Sequence, residues 1–216
     1  TNSSPGIQIY GGDVINSTLW RNFGTNAPYV ITGDVSVRKG TELTVQTGAN
    51  VKVLNSGLYV YGNLYATNVT FTSANDDAVA GDSNGDTTNT VAAPRQWKGI
   101  YLSSDSSAST LEKCRLSYAG QDNLGYIHSG YRYCAVYVDS SSPRITDCVF
   151  SNIGGHGIDL FGSSALIRSN QFINVPTDWF AVALDDLSQF PTFAGNSATG
   201  TGNPGIYVPG GDITTA

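Results

Sequence analysis

The chain has no methionine, two histidines, three cysteines and only 13% charged residues in 216. Each shortage excludes something. Cys114, Cys134 and Cys148 cannot build the disulfide framework of a small secreted domain, and no CxxC or Cys/His cluster suggests zinc. Scarce charge argues against long surface helices, which carry Glu and Lys on their wet face. The net charge is −6, and no basic stripe exists to neutralise phosphates, so no nucleic-acid partner is expected. No run of 18 apolar residues occurs, so no membrane insertion is expected. No charged-then-apolar leader opens the chain, which is expected to be the mature form if the protein is exported.

What is present is Gly, Ser, Thr and Asn, with 40% hydrophobic residues. Such a surface fits an all-β protein, extracellular or on a cell surface. The chain also repeats itself. A small residue followed by apolar-x-apolar recurs as Gly6-Ile-Gln-Ile9, Gly57-Leu-Tyr-Val60, Gly99-Ile-Tyr-Leu102, Ala135-Val-Tyr-Val138, Gly157-Ile-Asp-Leu160, Ala181-Val-Ala-Leu184 and Gly205-Ile-Tyr-Val208. Asp34-Val-Ser-Val37 is a weaker member. Alternation of this kind marks short strands with one face inward. Val136, Ile158, Val182 and Ile206 follow one another at 22, 24 and 24 residues. The longer steps, Leu58 to Ile100 and Ile100 to Val136, hold polar insertions at about 75–95 and 119–133.

A second register agrees. Leu111, Cys114 and Leu116 share their spacing with Ile145, Cys148 and Phe150, and with Ile167, Asn170 and Phe172. Helical repeats are excluded by the lack of 3.6-residue periodicity. The expected fold is a right-handed parallel β-helix of about eight coils, one domain over residues 1–216, with two long loop insertions and no capping helix.

Val30 to Val37, Gly40-Thr-Glu-Leu-Thr-Val45, Gly48-Ala-Asn-Val-Lys-Val53 and Leu58 to Ala66 together resemble the opening of right-handed β-helix regions of bacterial cell-surface proteins. Phe71-Thr-Ser, Asp76-Asp77, Gly81 to Asp86 and Trp97-Lys-Gly-Ile100 are similar to the next block of those proteins. The resemblance implies secretion and a pectate-lyase-like helix. It implies little about activity, because the fold hosts many functions.

Three groups of residues are candidates for function. The first is the acidic loop with Asp76, Asp77, Asp82, Asn84 and Asp86. Asp82, Asn84 and Asp86 place oxygens at positions 1, 3 and 5, as calcium loops do, although Thr87 and Ala93 replace the Gly and Glu of an EF-hand. Calcium is the cation such a loop would take; a solvated acidic loop is the alternative. The second is a column of Tyr59, Tyr101 and Tyr137 on consecutive coils. It is a sugar-stacking platform, a lateral contact, or a face covered by the long loops, with Trp97 and residues 126–133 near enough to do so. The third is the pair of ends.

Pro5 to Ile15 and Pro204 to Ile213 read alike, so the last coil is expected to return to the phase of the first. Ile7, Ile9 and Val14 would then dock on Ile206, Val208 and Ile213 of a neighbouring copy, and a head-to-tail contact that does not close gives a filament.

No catalytic set emerges. Gly155-His-Gly157 resembles the Gly-His-Gly of polygalacturonases, but Asp185-Asp186 follows the histidine instead of preceding it. Cys114, Cys148 and Asn170 share one ladder position, read as buried packing, with a Cys114–Cys148 disulfide as the alternative. The expectation is a structural extracellular protein that polymerises with itself. A polysaccharide-binding or polysaccharide-degrading β-helix and an excised segment of a large surface adhesin are its competitors.

Overall fold

A computed structural model describes residues 6–87, 89–121, 124, 133–185, 191–200 and 203–208. It is all-β, a parallel solenoid of about eight turns with no helix among the described residues. Each complete turn contributes one short strand to each of three sheets.

The first sheet stacks Ile7–Ile9, Tyr29–Ile31, Asn50–Val53, Thr70–Ser73, Arg115–Ser117, Val149–Ser151, Gln171–Ile173 and Ser197–Thr199. The second stacks Gly12–Val14, Val35–Val37, Gly57–Val60, Gly99–Leu102, Cys134–Asp139, His156–Phe161, Phe180–Leu184 and Asn203–Tyr207. The third runs from Thr18–Trp20 through Glu42–Val45, Asn63–Thr67, Thr110–Glu112, Arg144–Thr146 and Leu166–Arg168 to Thr192–Ala194.

Strand alternation sends every second side chain inward, and parallel register sets like on like. The first sheet's inward column reads Ile7, Tyr29, Val51, Phe71, Leu116, Phe150, Phe172, Ala198. The Phe150 and Phe172 rings stack at 4.9 Å and 13°. Full burial of a side chain of this size stabilises by about 1.5–3 kcal/mol. Such columns, closed on three sides, form one continuous core.

The corner between the third and first sheets repeats a device. Asn68, Lys113, Asp147, Ser169 and Gly195 all take left-handed backbone, with φ of 53°, 53°, 56°, 55° and 64°. At the last four of these corners the next residue turns inward and donates to the preceding coil. Cys114 Sγ donates to Ala66 O at 3.3 Å and Cys148 Sγ to Leu111 O at 3.4 Å. Asn170 Nδ2 donates to Ile145 O at 2.9 Å and Asn196 Nδ2 to Ile167 O at 2.8 Å. These four carbonyls belong to one column of the third sheet. The thiols therefore stand in for ladder amides. Cys114 and Cys148 are not bonded to each other, so the buried-ladder reading holds and the disulfide does not. Contact with Cys114, together with burial, pushes the Cys148 thiol up and keeps it protonated.

One phase expectation is corrected. Ile7–Ile9 pairs with Tyr29–Ile31 in the first sheet, whereas Ile206 pairs with Val182 in the second. The matching stretches around Ile7 and Ile206 therefore lie in different sheets, and the last coil does not return to the phase of the first. Gly12–Val14, not Gly6 to Ile9, heads the column containing Val35, Leu58 and Ile100. A two-residue alternation is common to all three sheets, so periodicity alone cannot tell one sheet from another.

Both long insertions leave the solenoid after a first-sheet strand. One spans 74–98, the other 118–133.

Candidate functional site

The first insertion folds back over the outer face of the first sheet. Val51 and Val53 point into the core, so Lys52 between them points outward, yet it is wholly buried under the loop. Its ammonium donates to three backbone carbonyls, Asp76 O at 2.9 Å, Val79 O at 3.0 Å and Gly81 O at 2.7 Å. Burial pulls the Lys52 pKa below the ordinary lysine value, against the charges of Asp77, Asp76 and Asp82. The chain thus supplies its own cation beneath the acidic loop.

Above Lys52 the loop is organised by its own side chains. Asp82 Oδ1 accepts the backbone N–H of Gly85 at 2.7 Å and of Asp86 at 3.3 Å, and Asp82 Oδ2 accepts that of Thr87 at 2.8 Å. Desolvation pushes the Asp82 carboxyl up, but the donors of Thr87, Gly85 and Asp86 outweigh it and hold it below the usual value. Asn84 Nδ2 donates to Asn75 Oδ1, Asp86 Oδ2 and Thr90 Oγ1, each at 3.0 Å. Thr90 Oγ1 also donates to Asp86 Oδ2.

Of the five residues expected to hold a metal, three converge. Asp77, Asp82 and Asp86 each offer a carboxylate oxygen, all within 4.8 Å of one another. Asp77 Oδ1 and Asp86 Oδ1 are shut off from solvent without a hydrogen-bond partner. Desolvation, then the neighbouring Asp82 charge, raises the Asp77 pKa, with Lys52 opposing. The other two are turned elsewhere. Asp76 Oδ2 accepts Thr72 Oγ1 at 2.7 Å, and Asn84 gives the loop its NH2 edge. Lys52 is absent from the residues that spacing singles out. Its only signal is an outward lysine one coil before a long loop, and nothing local says that the loop will lie over it.

The tyrosine column forms in the expected register, with Tyr59 opposite Tyr101 and Tyr101 opposite Tyr137. It is not an open platform. Tyr137 is fully buried and Tyr101 nearly so, and Leu124 from the second insertion packs into the same cluster. Tyr101 donates its hydroxyl to Asp139 Oδ2 at 3.0 Å. At the column's other end Lys98 bridges both oxygens of Asp34 at 3.0 and 2.8 Å and lies 5.9 Å from the Tyr59 ring centre. Covering by a long loop is therefore the reading that fits, although Trp97 takes no part. It is buried in the main core and donates to Ser117 O at 2.7 Å.

His156 is held against aromatic rings. Its Nδ1 accepts the Phe180 N–H at 3.0 Å and its ring meets Trp179 edge-on at 4.8 Å.

At the ends, Ile7, Ile206 and Val208 are exposed, and Ile9 and Val14 are half-buried. Ile213 lies outside the described residues. Among those described, Ile7–Ile9, Gly12–Val14 and Thr18–Trp20 pair on one side only, as do Ser197–Thr199 and Asn203–Tyr207.

Comparison with known proteins agrees with this architecture. A family model described as "Right handed beta helix region" matches residues 2–174 and again 56–215. No curated protein and no solved structure matches the chain. The two overlapping matches run over almost every coil laid out above, which gives the solenoid its hand: the chain belongs to the right-handed β-helix family.

Proposed function

We propose that this chain is a structural β-helix rod of the cell exterior that lengthens by stacking end on end with further copies of itself. One observation carries the reading. The exposed large apolar side chains gather at the two ends: Ile7, Tyr10, Ile15, Leu19 and Phe23 at one, Ile206, Tyr207 and Val208 at the other. Only Tyr61 and Val91 lie elsewhere among the described residues. Scattered exposed apolar residues need no explanation, but a cluster on an open strand edge does. The same three sheets reach both ends or stop one coil short, so a copy translated along the axis continues them with strands pointing the same way. Such a contact is heterologous and does not close on itself. The covered tyrosines favour this reading over a polysaccharide platform.

The test is sedimentation velocity with negative-stain electron microscopy across a concentration series at neutral pH. Rods that lengthen with concentration support the proposal. A chain that stays monomeric up to its solubility limit overturns it. A monomer that only forms disordered aggregates points to a segment of a longer surface protein.

A second property belongs to the same rod. The convergence of Asp77, Asp82 and Asp86, with two carboxylate oxygens shielded and unpartnered, supports calcium binding in the 74–98 loop. Calcium takes carboxylate and carbonyl oxygens in flexible geometry, and its role here is to stiffen the loop over the first sheet.

A further inference from the structure

End-on stacking requires a particular contact at each junction, and the nature of that contact rests on the stacking reading. Ile7 and Ala198 are the first and last residues of a single inward column of the first sheet. Just before its end the column is aromatic, with the stacked rings of Phe150 and Phe172. Ala198 then puts a methyl group where a third ring would stand. A cavity of about 330 Å³ lies there, walled by Phe172, Val182, Phe193, Ala198 and Ile206. Ile7, at the opposite end, is 38% exposed although its position is an inward one.

We infer that Ile7 of one copy seats over Ala198 of the next and enters this cavity, so that the junction is a knob in a hole. Every strand of the sheet is parallel and in register, so translating a copy by one further step places Ile7 next in line after Ala198. A branched aliphatic side chain is the right chemistry for an apolar space left by a missing ring. Beside it, Gly12–Val14 falls on Asn203–Tyr207, which closes both unpaired edges of the second sheet by backbone hydrogen bonds. The junction is matched sheet to sheet and owes nothing to the likeness of the stretches around Ile7 and Ile206, which lie in different sheets.

Oppositely charged substitutions test the pairing. Ile7→Lys, at an exposed position, and Ala198→Glu, at a half-buried one on the open cavity, each place a charge that the junction would bury without a partner. Either alone is expected to weaken polymer formation on the order of tenfold or more, with an unchanged circular dichroism spectrum for the folded monomer. One chain carrying both brings Glu and Lys together across every junction and should recover rods. Ile7→Ala introduces no charge and should weaken assembly less, in the same direction. Rods formed as readily by Ala198→Glu as by the unsubstituted chain overturn the inference, as does a double variant that stays monomeric. Absence of rods from the unsubstituted chain is the different result that sinks the stacking reading itself.

Discussion

Asn170 and Cys148 occupy successive steps of one buried corner ladder, where Asn170 Oδ1 accepts the Cys148 backbone N–H at 2.9 Å. The same amide donates to Ile145 O and to Asn196 Oδ1, so one side chain ties neighbouring coils on both sides. Asn170→Ala strands the buried Cys148 N–H, at about 1–3 kcal/mol, and takes the amide donor from Ile145 O. Asn170→Cys should cost less, because Cys148 already makes the equivalent donation to Leu111 O. Urea unfolding of the two variants beside the parent checks the order; equal losses would show that the thiol does not replace the amide.

Lys52 is the keystone of the acidic loop. Lys52→Met removes the charge on which three carbonyls converge and leaves Asp76, Asp77 and Asp82 without their counter-ion. Leaving a buried carbonyl without its donor costs about 1–3 kcal/mol. Limited proteolysis should then cut first within residues 74–98, while the parent resists there. An intact loop in the methionine variant would mean that Lys52 only fills space.

Alkaline pH should unfasten the tyrosine column. Burial, then the Asp139 charge, raises the Tyr101 pKa above the ordinary 10.0. A phenol whose folded pKa lies above its unfolded one contributes stability that is complete below the unfolded value. That contribution is lost as pH climbs through the folded value. Stability should therefore fall above about pH 10. Tyr101→Phe should flatten part of that fall, at a constant loss of about 1.5–3 kcal/mol for the bond to Asp139. Chemical denaturation at several pH values from 7 upward measures both.

Calcium and Asp77 should act in opposite senses. Without the ion, the raised Asp77 pKa means that its stabilising share is full below the unfolded value and lost as pH rises through the folded one. At neutral pH Asp77→Asn therefore relieves repulsion from Asp82 and raises the melting temperature in chelator. In calcium the parent gains more than the variant, because a ligand that binds only the folded state stabilises by mass action and the variant offers one charge fewer. Differential scanning fluorimetry with calcium and with chelator decides. A variant that gains as much from calcium as the parent would remove Asp77 from the ligand set.

Much of the fold is legible in the sequence, for a physical reason. A solenoid writes its contacts as spacing: Val136, Ile158 and Val182 touch because they lie one coil apart, and Tyr59, Tyr101 and Tyr137 line up despite two insertions. Period-two alternation reveals strands but not which sheet they join, so it puts Gly6 to Ile9 in the wrong column. Loop-to-sheet contacts leave no period at all. Lys52 and Leu124 find their partners only through the path of an irregular segment, and Trp97 enters the core instead of the tyrosine face. The convergence of Asp77 with Asp82 and Asp86, and the departure of Asp76 and Asn84, depend on hydrogen bonds inside the loop that spacing does not encode.

Because every column is joined chiefly to the turn above and the turn below, no strand pairing among the described residues ties one extremity to the other. Mechanical load applied along the axis would meet no single clasp. It would peel the outermost winding, then the one beneath, each yielding at a similar force. A sawtooth of small, even releases, interrupted where residues 74–98 and 118–133 release extra slack, is the tensile signature of this architecture.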